Sequence, residues 1–172
     1  MTKTKVDAVG GTFEPLLQIG MDIDVFTSNW AYCDRLSSYA ARMVSHNRID
    51  SLLYSNLFSS ALNELLETVF RAHGSGGNFM CSISRLANKD RIELTIPCKA
   101  REAQFYLDAM KRLSRTDVAE QYRSALFAEG ALDPDIGLFE LAVDYDASIS
   151  VETTDENTIR LVADLALEDT QA

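Results

Sequence analysis

From about Asp50 to Ala72, apolar residues recur with the period of a helix. Leu52, Leu53, Leu57, Ala61, Leu62, Leu65, Leu66, Val69 and Phe70 fall on one broad stripe. Asn56, Ser60, Asn63, Glu64, Glu67, Thr68 and Arg71 fall along the other side. Residues three and four apart are neighbours on a helix, so this spacing gathers the apolar side chains on one face. A face that wide has to be covered by a second layer. Leu62, Leu65, Leu66 and Val69 are therefore expected to lie buried against a sheet of at least four strands. Asp50 or Ser51 caps this helix, and the glycine-rich stretch from His73 to Asn78 ends it.

The remaining segments supply that sheet. Residues 78–87 and 91–97 alternate apolar and polar with period two around Asn88-Lys89-Asp90, which reads as a β-hairpin closed by Pro97. A second hairpin is expected near Ser148–Thr153 and Thr158–Leu165, turning at Asp155-Glu156-Asn157. Near the start, Thr12–Gly20 and Met21–Val25 read as two short strands or one strand bent at Gly20. A helix over Asn29–Ser45 follows, capped by Thr27 or Ser28. Helices are expected over Ala100–Leu113 and Thr116–Glu129, the latter capped by Ser114 or Thr116 and stopped by Gly130. A short helix opens at Asp133-Pro134 and runs through Val143. Trp30, Phe58, Phe70 and Phe105 read as core residues. The order is β, α, α, β-hairpin, α, α, α, β-hairpin. It predicts an α+β fold, a two-layer α/β sandwich with helices on one face of a mostly antiparallel sheet. Residues 1–11 read as a frayed lead-in and 12–172 as one domain.

Composition narrows the function. The chain has 172 residues, 47% hydrophobic and 24% charged, with net charge -10. Such an acidic chain opposes nucleic-acid binding, which needs Lys and Arg to neutralise phosphates. No run of 18 apolar residues predicts a membrane span. The opening is too polar for a signal peptide. Cys33, Cys81 and Cys98 form no CxxC pair and only two histidines exist, so no metal site is expected. Unpaired thiols fit a cytoplasmic location. His46 and His73 both stand at helix ends, where histidines commonly cap carbonyls rather than accept phosphate. The charge is uneven. Residues 131–172 hold eleven acids and one base, Arg160, while residues 1–130 hold fifteen of each. That segment is a solvated surface or an acidic docking face for a basic partner. Asp135, Glu140 and Asp144 are the candidate partner-binding residues.

The stretch Ala61–Arg71 resembles the N-box helix of GHKL-type ATPases, the group that includes histidine kinases and anti-sigma-factor serine kinases. Residues 136–147 resemble the Gly-Leu region that opens the last helix of that fold. With the shared order of elements, the resemblance spans about 120 residues, and it is narrowest to small bacterial GHKL-like regulators. The resemblance implies a GHKL-type sandwich, with Glu64 as the catalytic acidic residue that polarises water. It places Thr68 where the family's magnesium-holding Asn stands, and Gly137 in the phosphate loop. The sequence departs from the pattern at three places. Thr68 offers a hydroxyl in place of an amide oxygen. The segment Cys98–Glu102 lacks the family's Asp and glycines. Asp135 stands beside the lone Gly137, where it would repel a phosphate.

The resemblance therefore implies a degenerate ATPase domain that regulates through protein contacts in a partner-switching system. No cofactor is expected. The partner would be a STAS-type antagonist, a sigma factor or a response regulator, with a homodimer as a further option. The alternatives are an active ATP-binding serine kinase or ATPase using magnesium, and a helical phosphotransfer or dimerisation module.

Overall fold

The structure, a computed structural model, describes residues 11–72, 76–155 and 157–168. His73, Glu156 and all but the last residue of the expected lead-in lie outside the described residues. The expected class is what is found. Five strands form one antiparallel sheet in the order β1-β2-β3-β5-β4, with helices packed on one face. The strands are β1 (Glu14–Asp22), β2 (Asn78–Leu86), β3 (Lys89–Pro97), β4 (Ser148–Asp155) and β5 (Thr158–Leu165). Alternation does the sorting: Phe79, Cys81 and Ile83 on β2, and Ile92, Leu94 and Ile96 on β3, all turn inward. Across the pairing, Ile83, Ile92 and Ala163 stand opposite one another, as do Cys81, Leu94 and Leu161, so two apolar rows cross the sheet.

The helix with the broad stripe is α3 (Ser51–Arg71), capped by Asp50, whose carboxylate accepts from the Leu53 N–H. Leu62, Leu65, Leu66 and Val69 are buried in the core beneath it. Helix α2 (Ala31–Val44) packs along one flank of α3, and α6 (Ile136–Asp144) along another. Helix α4 (Ala100–Leu113) covers β4 with Tyr106 and Ala109 in the core. Helix α5 (Val118–Phe127) lies further out, on a small apolar cluster of Tyr122, Ile136 and Phe139. The loop between α2 and α3 is tied to the sheet by buried charge: Asp90 accepts from Arg85 Nε at 2.6 Å, and Arg48 bridges Asp90 and Glu168. Cys33, Cys81 and Cys98 are free and buried. Burial pushes the Cys33 and Cys81 thiols up to about 12, and that of Cys98 upward.

Several local expectations are corrected. The strand expected over Met21–Val25 stops at Asp22. That side chain accepts from the N–H groups of Asp24 and Val25 and turns Ile23–Phe26 into the short helix α1. The irregularity of β1 lies between Pro15 and Leu17, not at Gly20. Helix α2 starts after Trp30, with Asn29 in place of Thr27 or Ser28 accepting from Ala31 N–H. Helix α5 begins after Asp117, beyond both cap residues expected for it. Trp30 is no core residue: it is 42% exposed, edge-on to Phe70 and under the Arg71 guanidinium.

Candidate functional site

Three residues singled out in the sequence, Glu64, Thr68 and Gly137, meet where α6 crosses α3. Four-residue spacing puts Glu64 and Thr68 one above the other on α3. The first turn of α6 lies against them at residue 137. A methyl group there would stand 2.8 Å from Glu64 Oε2, 3.0 Å from the Glu64 carbonyl and 3.2 Å from Thr68 Oγ1. The glycine therefore permits the two helices to touch. Thr68 is fully buried, and its hydroxyl donates to the Glu64 carbonyl at 2.8 Å. This is the back-bond that Ser and Thr commonly make inside helices.

Carboxylates surround the crossing. Glu64 and Glu67 on α3 face Glu140 on α6, one turn from Asp144. Glu67 is shared by Arg71 at 3.2 Å and the Asn63 amide at 2.9 Å. Burial, then the charges of Glu140 and Glu67, push Glu64 up to about 7, against a smaller pull from Arg71. Glu140 is raised by burial and by its neighbours Asp144 and Glu67. Sequence reasoning missed the tyrosines. Tyr122 donates to Asp144 at 3.0 Å, and both Tyr122 and Tyr145 are held protonated by burial among these acids. No local signal marks them, because Tyr122 reaches the site from α5, 22 residues before its partner.

The three candidate partner-binding residues separate. Asp144 is exposed and Glu140 half-buried. Asp135 is only 1% exposed and ion-paired with Arg112 of α4, so its carboxylate faces inward. No three His, Cys, Asp or Glu side chains among the described residues are placed to hold a metal ion. His46 is exposed in the turn after α2. No helix among the described residues is long and apolar enough to cross a membrane.

Compared with known proteins, the chain matches no family model and no curated protein. Among solved structures it is similar to a chain in the structure described as the SiaB-SiaC complex from Pseudomonas aeruginosa. The TM-score is 0.58 and the identity 13%, over 88% of this chain and 90% of that one. At that identity the likeness is one of fold.

Proposed function

We propose that this chain is a regulatory protein of bacterial signalling that acts through protein–protein contacts, in the manner of partner switching. In this reading it is built on a histidine kinase-like, GHKL-type ATPase domain whose nucleotide motifs have degenerated. Support for a protein partner comes from the fold likeness to a chain of a two-protein complex. The observation that carries the degenerate reading is Thr68. Its side chain is fully buried and Gly137 of α6 packs against its hydroxyl oxygen, so that oxygen is covered where a magnesium ligand would have to be open. The residues around it also fit a triphosphate poorly. Gly137 is taken up by helix contact, and Asp135 before it is buried in an ion pair with Arg112, so the start of α6 offers no glycine-rich phosphate loop. The partner in this reading is a STAS-type antagonist, a sigma factor or a response regulator.

One observation favours the runner-up, an active serine kinase. Glu64, held near 7, has the proton affinity of a general base working at neutral pH. Thermal denaturation with millimolar Mg-ATP separates the two. A nucleotide at a hundred times its Kd adds about 2.7 kcal/mol to the folded state. The degenerate reading expects no shift in Tm, and a rise of several degrees refutes it.

A further inference from the structure

We propose that the free edge of β4, with the groove beside it, receives an extended basic segment of a partner protein as a sixth strand. The proposal rests on the regulatory reading above and names where and how the partner docks.

β4 ends the sheet and pairs only with β5, so one side of its backbone has no strand against it among the described residues. The two edges of the sheet differ. β1 is blunted by Pro15 and by an irregular register between Pro15 and Leu17, two devices that stop edge pairing. β4 has no proline, lysine or arginine, and its register is regular from Ser148 to Thr153. An extended chain can therefore hydrogen-bond along it, as in strand-addition recognition.

A groove of about 350 Å³ runs beside this edge. Its floor is Met110 and Leu113 of α4, Ala142 of α6, and Ile149 and Val151 of β4. Ser150 lines it too, so the groove follows the strand itself. Among the described residues no charged side chain lines it. The volume falls within the roughly 300–1,000 Å³ of ligand clefts, and the small Ala142 leaves it open. Alternate side chains of an added strand point to one face, so every second residue of the partner would enter the groove and should be apolar.

Charge sets the remaining positions. Asp144 and Asp146 stand exposed at one end of β4 and Asp155 at the other. Three cations are already held by carboxylates: Arg160 by Glu152 and Glu93, Lys111 by Asp108, Arg115 by Asp117. Among the described residues the three rim aspartates have no basic partner. They favour Lys and Arg in the incoming strand. A second copy of this chain would bring the same acids face to face, which opposes edge-to-edge pairing.

The test titrates the full chain with a fluorescein-labelled nine-residue peptide alternating lysine with valine or leucine, read by anisotropy and by backbone amide NMR. Amide shifts along residues 148–153 and saturable binding are expected. The same peptide N-methylated on alternate residues keeps charge and apolarity but cannot pair with the edge, and should bind about tenfold weaker or worse. Ala142→Phe fills the groove and should weaken binding similarly. D144K/D146K should weaken it and flatten its salt dependence. Equal binding of the two peptides, shifts confined to the acids of α6, or no binding at about 1 mM overturns the proposal. The N-methylated peptide needs no variant, so an Ala142→Phe chain that fails to fold leaves the test intact. Concentration-dependent dimers lost in Ala142→Phe would assign the edge to a second copy and also overturn it. A partner that co-purifies with the full chain and is retained by Ala142→Phe leaves the regulatory reading standing while the β4 site falls. A chain that binds the peptide at β4 but acts as an Mg-ATP kinase reverses that outcome.

Discussion

Replacing Glu64 by Gln removes a charge from the α3–α6 crossing without changing its shape. In the folded protein this carboxyl ionises near 7, against an ordinary value of 4.5. Below pH 4.5 both folded and unfolded chains hold the proton, so the site costs nothing. As pH rises the unfolded chain ionises first. The folded state then loses stability through the window from 4.5 to about 7, and the full cost is present by pH 8. A tenfold change in ionisation is worth about 1.4 kcal/mol, which sets a ceiling of about 3 kcal/mol. Glu64 is half-buried and solvent screens part of this, so about 1–2 kcal/mol is expected. Glu64→Gln should therefore be more stable than the parent by that amount at pH 8, and equal to it at pH 4.5. Urea denaturation of both proteins at four pH values measures the difference, with unchanged m-values confirming a common unfolded state. A difference that is constant with pH, or a Gln variant that is weaker at pH 8, would refute the reasoning. A constant difference would mean that Arg71 balances burial, Glu140 and Glu67; a Gln variant weaker at pH 8 would mean that Arg71 outweighs them.

Leu66→Ala should cost about 2–5 kcal/mol in chemical denaturation, because Leu66 is fully enclosed between α3 and the sheet; a loss under about half a kcal/mol would place α3 outside the core. Gly137→Ala should destabilise by about 1–2 kcal/mol, the overpacking of α3 outweighing a gain of up to about 1 kcal/mol in helix propensity. A more stable Ala variant would show that α6 is not pressed onto Glu64.

Long patterned segments were legible in the sequence, and contacts between segments were not. The stripe from Leu52 to Phe70, the alternation around Asn88-Lys89-Asp90 and the span of α4 carry their periods over many residues. They emerge with boundaries close to those read from the sequence, although Leu52 and Leu53 at the head of the stripe are exposed and Thr68, read on the polar side, is buried. The turn at Ile23–Phe26 was missed because one side chain, Asp22, outbids the weak alternation of Met21–Val25. Trp30 was misplaced because helical spacing does not say how far a flank extends beyond its neighbour. At the site, four-residue spacing placed Glu64 above Thr68. That α6 would lay Gly137 on both of them is a tertiary fact with no local trace. The same holds for Asp135, which reads as a surface acid until Arg112, 23 residues away, is seen to hold it.

The three buried thiols make the molecule a reporter of its own motions. Only a thiolate attacks a disulfide reagent, and each sulfur here is both enclosed and held in its protonated form. A reagent in solution must wait for the surrounding element to part. Cys33 marks α2, Cys81 marks β2, and Cys98 marks the exit from β3 toward α4. Their modification rates give three opening free energies, for the helical layer, the β1–β2 side of the sheet and the link from β3 to α4. A peptide pairing with β4 would slow Cys98 alone if it clamps the α4 side, or all three together if it stabilises the whole fold. The difference can be read by mass spectrometry on the unaltered chain.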